Sequence, residues 1–335
     1  MRAAETYLGS TIAGRFLIER VLGAGGMGVV FLALDQSSQR RVALKLAMAA
    51  SDPTRIARFV REGEVSASLD HPGIVRIYSA GAVEGQPYLV YELIEGAREL
   101  QDVFPQLNLP GRVALVQQVV QALGYAHSRG VVHRDVKPEN VLVDHEGRAR
   151  LADFGIASVA GADRLTATGA WVGTPQYMAP ERFQSGAATP ASDVWSAGVL
   201  LYEALTSTPP FPGKTLQELA PQIALARPTP PSRIVDHVPR RLERVCLRAL
   251  SADLALRYKD GRAFAEDIER ALKDEPLSAR PRSKAFLGLA GLLGVGFFGV
   301  AVAYALKTTV PEIVPVMTSL NFPFPSQNFY KEVGS

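Results

Sequence analysis

One cysteine, Cys246, stands in 335 residues, so no intramolecular disulfide is available and the fold must close on packed side chains alone. The expectation for that thiol is a small core residue in a reducing compartment. Strong charge of one sign is also lacking. The 36 Lys and Arg against 33 Asp and Glu leave a formal charge of +3, and the basic residues are scattered, so no nucleic-acid footprint is present. The N-terminus, MRAAETYLGSTIAGRF, lacks the apolar core of a secretory leader, which predicts that translation opens on a cytoplasmic domain. What remains is 47% hydrophobic content in a chain long enough for one large two-lobed domain or two ordinary ones. Neither number selects a function.

The informative stretch is 131–155, VVHRDVKPENVLVDHEGRARLADFG. It brings Asp135, Lys137, Asn140 and Asp153 into one strand-turn-strand unit, with the apolar pairs and triplets around Val131, Val141 and Leu151 to pin the backbone. Moving a terminal phosphoryl group demands alignment and charge neutralisation more than covalent help. An acid near an acceptor hydroxyl and hard oxygen donors for Mg2+ meet that demand. Asp135 can orient and deprotonate the hydroxyl, Asn140 and Asp153 can hold metal, and Lys137 can cover the migrating charge.

His133-Arg134-Asp135-Val136-Lys137-Pro138-Glu139-Asn140 followed by Asp153-Phe154-Gly155 resembles the catalytic and metal-binding loops of eukaryotic-type (Hanks-type) protein kinases. Lys137 with Pro138-Glu139 is similar to their serine/threonine branch. The resemblance implies an α+β bilobal fold: a small β-rich lobe with one helix (16–91), a hinge (92–96) and a larger helical lobe (97–272), preceded by an extension at 1–15. It also implies ATP and Mg2+ as cofactors, with Mn2+ able to substitute, and protein serine or threonine as acceptor.

The rest of the chain carries matching signals. Leu22-Gly23-Ala24-Gly25-Gly26-Met27-Gly28-Val29-Val30 has the G-x-G-x-x-G spacing that lets backbone N–H groups approach phosphates. Residues 29–34 are β-branched and apolar, and so predict a returning strand where a dinucleotide-binding fold, the alternative for this stretch, would open a helix. Lys45 stands alone in an apolar strand and calls for an anionic partner. The helix predicted over 54–69 offers Glu62 and Glu64, which cannot both face the sheet because two residues turn a helix by about 200°. Family spacing selects Glu62. Glu92 and Leu93 resemble the adenine-holding hinge, with Tyr91 at the position that narrows the pocket behind it. Val113, Val116, Val120 and Leu123 predict a supporting helix over 110–128.

Beyond Asp153, the resemblance implies an activation segment in which Thr166 and Thr168 are candidate phosphoacceptors and Arg134 the phosphothreonine receiver. Asp193 is implied to accept N–H bonds from the catalytic loop, and Arg257 to pair with Glu181. All of Lys45, Glu62, Asp135, Asn140 and Asp153 are present, which argues against a catalytically inactive scaffold, the alternative function. The 173–181 segment resembles a peptide-docking surface and argues against a small-molecule phosphotransferase.

Residues 273–284 are charged and proline-containing, the composition of a linker. Residues 285–306, AFLGLAGLLGVGFFGVAVAYAL, carry no charge and as a helix would extend about 33 Å, enough to cross a bilayer. Arg270, Lys273, Arg280, Arg282 and Lys284 precede the span and only Lys307 follows closely. The positive-inside rule then predicts a single-pass protein of the inner (cytoplasmic) membrane, its catalytic domain cytoplasmic and its 307–335 tail outside. Small residues four apart at Ala290/Gly294 and Gly299/Ala303 predict a homodimer contact within the membrane. The tail is too short for a sensor domain, unlike the large external modules of some membrane-tethered bacterial relatives.

Overall fold

The computed structural model describes residues 2–25, 28–47, 52–154, 175–185, 188–213 and 215–279. Its small lobe is a six-stranded antiparallel sheet. Strands β1 (Thr11–Ile12), β2 (Phe16–Gly25), β3 (Gly28–Asp35), β4 (Arg40–Ala47), β5 (Ile77–Val83) and β6 (Gln86–Glu92) lie in the order β1-β2-β3-β4-β6-β5. Alternation puts Phe31 and Ala33 of β3 and Leu44 and Leu46 of β4 into the core. The β3–β4 turn is held by Asp35, whose carboxylate accepts from Ser37 and Ser38 and from Arg15 at 2.6 and 2.7 Å. Those partners, Arg15 foremost, hold Asp35 far below the usual carboxylate range.

Residues before 16 belong to this lobe structurally. A short helix α1 (Arg2–Glu5) buries Ala4, β1 pairs with β2, and the Tyr7 ring packs 5.6 Å from Phe31. Helix α2 (Pro53–Ala67) starts where Asp52 caps the Thr54 N–H at 2.9 Å, with Pro53 in the first turn. It packs against β5 and β6 at a glycine: a Cβ on Gly63 would stand 2.6 Å from Leu89 Cδ2 and 2.8 Å from Ala80 Cβ. That close seat turns Glu62 inward and leaves Glu64 exposed.

The large lobe opens with β7 (Arg98–Glu99) and α3 (Leu100–Val103), followed by α4 (Leu109–Ser128), capped by the Asn108 side chain on Gly111 N–H. Val113, Val116, Val120 and Leu123 are all buried, as the periodicity requires, and Leu115, Val119, Ala122 and Ala126 join them on the other faces. Strands β8 (Val141–Val143) and β9 (Ala149–Leu151) form a three-stranded sheet with β7. After α5 (Pro180–Ser185) comes α6 (Pro190–Thr206), which starts at a Thr189–Ser192 capping box and is buried nearly all round. Trp195, fully buried, stacks on Phe211 at 5.7 Å. Helices α7 (Leu216–Leu225), α8 (Arg240–Ala249) and α9 (Gly261–Leu272) complete the lobe. Cys246 is buried on α8, where burial pushes its thiol well above the ordinary value.

The composition of 273–284 predicts a free linker, yet its first part is fastened down. Ser278 N–H and Oγ–H donate to the two oxygens of buried Asp267 at 2.8 and 2.7 Å, and Arg248 donates to Ser278 Oγ at 2.7 Å. Asp267 also accepts from Arg248, Tyr258 and Arg270, and the linker adds its donors to that buried cluster. Among the described residues no helix is long and apolar enough to cross a membrane. The 285–306 stretch, Gly294, Gly299 and the tail lie outside the described residues.

Candidate active site

The loop at 131–140 is suspended from α6. Asp193, 1% exposed, accepts the His133 N–H at 2.7 Å and the Arg134 N–H at 2.8 Å, and lies 2.9 Å from His127 Nε2. An acid buried in an apolar helix is thereby satisfied by backbone donors of the segment it positions. His133 fixes the other side. Its Nδ1 accepts from Asp135 N–H, so the proton sits on Nε2 and is donated to Ala152 O at 2.7 Å. Burial pushes its pKa down and keeps the ring neutral, and the ring packs 4.5 Å from Phe154.

Held in this way, the loop presents its polar groups together. Lys137 Nζ lies 2.8 Å from Asp135 Oδ2, and Asn140, in a 3₁₀ turn at Pro138–Asn140, donates its amide to Asp135 O and Oδ2 at 2.7 and 3.0 Å. With its nitrogen committed, the atom Asn140 has to offer a cation is its carbonyl oxygen. Asp153 Oδ2 lies 2.6 Å from Lys45 Nζ, and Asp153 Oδ1 accepts from the Tyr91 hydroxyl at 2.8 Å. Burial pushes the Asp153 pKa up, but the Lys45 ammonium and the Tyr91 bond outweigh it and hold the group below the usual range. Burial and then the Asp153 charge push Tyr91 well above its ordinary value, so the phenol stays protonated. Arg134 (φ 75°) and Asp153 (φ 62°) both adopt the left-handed backbone region that non-glycine residues rarely use. A carboxylate and an amide oxygen beside a lysine are a donor set that fits Mg2+ with nucleotide phosphates.

Between the lobes lies a cleft of about 670 Å³. Leu22, Gly23, Val30, Lys45, Glu92 and Leu93, six of the expected nucleotide contacts, line it. Ala24, Gly25, Gly28 and Val29 sit on the paired arms of β2 and β3 beside it, and Gly26 and Met27 lie outside the described residues. Gly28 has φ 136°, and a Cβ there would stand 2.2 Å from Leu46 O, so only glycine fits. At Gly23 and Gly25 an added Cβ would meet no protein atom within 4 Å, so internal packing does not demand glycine there. Glu92 anchors the hinge: its N–H donates to Arg76 O at 2.8 Å and its carboxylate pairs with Arg150 at 2.8 Å.

Ala43 and Leu142 also line the cleft and were not singled out from sequence. Leu142 could have been, because it lies two residues past Asn140 on a strand whose flanking positions, Val141 and Val143, are buried. The Tyr91 hydroxyl bond to Asp153 has no sequence signal, since it joins residues 62 apart.

One expectation is corrected. Glu62 was expected to pair with Lys45, but its Oε2 accepts from Arg134 Nη1 at 2.9 Å and Lys45 takes Asp153 instead. Two carboxylates compete for one ammonium. The buried Lys45 is satisfied by Asp153, and Glu62 is drawn to the guanidinium on the opposite lobe. Arg134, the expected phosphothreonine receiver, is therefore engaged by a carboxylate; Thr166 and Thr168 lie outside the described residues. Arg257 meets Glu181 in bidentate fashion, at 2.8 and 3.0 Å, with its guanidinium 5.0 Å from the Trp195 ring.

This geometry has known counterparts. The chain matches the protein kinase domain family over residues 16–260. It is 36% identical over 277 residues to the serine/threonine-protein kinase PrkC of Bacillus subtilis, covering 82% of this chain and 43% of that protein. It is 38% identical over 271 residues to PknA of Mycobacterium tuberculosis, covering 78% of this chain and 62% of that protein. PknB of Mycobacterium leprae is 36% identical over 307 residues, covering 88% of this chain and 49% of that protein. The chain thus spans about half the length of the curated relatives it matches. Among solved structures, the kinase domain of Mycobacterium tuberculosis PknI superposes with a TM-score of 0.63 at 29% identity, covering 78% of this chain and 98% of that one. With its loops, cleft and two lobes all in the family's order, the chain belongs to the Hanks-type serine/threonine protein kinases.

Proposed function

We propose that the chain transfers the γ-phosphoryl of ATP to serine or threonine hydroxyls of proteins. The observation that carries this reading is that Lys45, Asn140 and Asp153 line one cleft, Lys45 lying 2.6 Å from Asp153, while Asn140 also donates at 3.0 Å to Asp135, which holds Lys137 at 2.8 Å. Asp135 orients the acceptor hydroxyl and takes its proton, and Lys137, already against that carboxylate, follows the charge to the transferred group. Lys45 grips the nucleotide phosphates. Asn140 and Asp153 would hold Mg2+, or Mn2+ in its place, which when bound neutralises phosphate charge. Leu22, Val30 and Leu142 supply the apolar walls for a base, with Glu92 and Leu93 at its edge.

Regulation follows from Arg134. Phosphate on Thr166 or Thr168 would compete with Glu62 for its guanidinium; the released Glu62 could then serve Lys45 once Asp153 is committed to metal. The present Glu62–Arg134 pair supports a resting arrangement that autophosphorylation relieves. The uncharged 285–306 stretch and the basic residues before it support a single-pass anchor with the catalytic domain on the cytoplasmic side, and homodimerisation through Gly294 and Gly299 belongs to the same proposal.

The test is incubation of the detergent-solubilised chain with ATP and Mg2+. Phosphothreonine should appear on the chain and on a protein acceptor, and Asp135→Asn should abolish both. Nucleotide binding without transfer in the unaltered chain would indicate a scaffold and refute the enzymatic reading. Alkaline extraction that strips the chain from membranes would refute the anchor.

A further inference from the structure

A buried tyrosine hydroxyl needs an acceptor, and a backbone carbonyl would serve as well as any. Tyr91, 5% exposed, instead donates to the carboxylate expected to bind metal. Phenylalanine would fill the same volume without this claim on Asp153. The backbone that carries the ring is held mid-sheet, Tyr91 being paired with Ala43 of β4 on one side and Ile77 of β5 on the other. Asp153 thus has each oxygen engaged by the small lobe, Oδ2 by Lys45 and Oδ1 by Tyr91. Lys45 has a second anion to turn to when nucleotide phosphates arrive. Tyr91 has no such exchange among the described residues, so its bond is the one a metal ion must displace or share. Tyr91 also lines the cleft, which ties the wall behind the base to the metal acid.

We propose that the Tyr91 hydroxyl caps Asp153 and competes with divalent cation for its Oδ1, so that this one hydroxyl sets how much metal the nucleotide site requires. The inference rests on the phosphoryl-transfer reading above and deepens it. Tyr91 is a positioning residue here: it acts on the metal through Asp153. No covalent step is involved; a hydrogen bond from the phenol is exchanged for a metal–oxygen bond, and the phenol keeps its proton.

The test measures binding with no turnover. The full chain in detergent is saturated with a non-hydrolysable ATP analogue and titrated with Mn2+, whose free fraction is read from its paramagnetic resonance signal. With the analogue at saturation, Tyr91→Phe should bind Mn2+ about three- to tenfold more tightly. Tyr91→Leu, which loses the hydroxyl and the ring together, should tighten Mn2+ binding in the same direction and serves if the Phe variant does not fold. In an Asp153→Asn background the Tyr91→Phe effect should vanish. Unchanged or weaker Mn2+ binding in Tyr91→Phe, or an undiminished effect in the Asp153→Asn background, overturns the cap while leaving the kinase reading intact. Failure of the unaltered chain to bind the analogue at all overturns both.

Discussion

Glu62 on α2 and Arg134 in the catalytic loop are joined, Oε2 to Nη1, at 2.9 Å across the two lobes. Both side chains are about a third exposed or less, so the pair itself adds no more than about 1 kcal/mol to stability. Under the proposed regulation its importance is one of access: it would keep an acid from Lys45 and a cation from a phosphothreonine.

Glu62→Gln should therefore leave the thermal midpoint within a few degrees of the unaltered chain. Yet kcat/KM for ATP should fall at least tenfold, because Lys45 loses its second anion when Asp153 turns to metal. Steady-state kinetics beside a melting scan check both halves, and a large loss of midpoint with intact kinetics would refute the exchange.

The Arg257–Glu181 pair is of another kind. Its guanidinium is fully buried, and removing one partner of such a pair costs about 3 to 5 kcal/mol. Arg257→Ala should show that loss in urea unfolding, while Arg257→Lys should recover only part of it, since an ammonium cannot span both oxygens.

Glu203 makes stability depend on pH. Burial raises its pKa from 4.5 to about 7, against the two Tyr177 hydrogen bonds that lower it, with the Glu139 charge adding to the rise. Below pH 4.5 the group is protonated in both folded and unfolded chains, and stability is at its full value. Between 4.5 and 7 the folded state alone keeps the proton, so stability falls as pH rises, by about 3 kcal/mol in total, and is level above 7. Glu203→Gln should abolish that slope. Denaturation at about pH 5 and about pH 8, on either side of most of this window, should find the variant more stable than the unaltered chain at the higher pH and close to it at the lower.

Truncation distinguishes linker from domain. A chain ending at 272 loses Ser278 and leaves Asp267 and Arg248 short of partners, which costs about 1 to 3 kcal/mol. One ending at 283 keeps those bonds. Urea midpoints of the two should differ in that direction, and equal midpoints would show that the strap carries no weight.

Local chemistry made much of this legible in the sequence. Asp52-Pro53 announced α2 and the apolar repeat announced α4, because caps and periodicity act within a few residues. The polar loop from His133 to Asn140 was legible because its donors and acceptors serve one another at short range. Choices between equivalent partners were not. Glu62 could reach Lys45 or Arg134, and only the folded positions of Asp153 and Tyr91 decide which. Likewise Ser278 looked like linker, since nothing in KDEPLSARPRSK reveals that Asp267 and Arg248 lie beneath it.

The three donors gathered by Asp193 have a wider consequence. The working loop takes its bearings from the innermost helix of the large lobe, whereas the walls of the cleft come from strands on either side. Substrate preference can then be recut at the rim, residue by residue, while the fulcrum on which the reacting groups turn stays where it is.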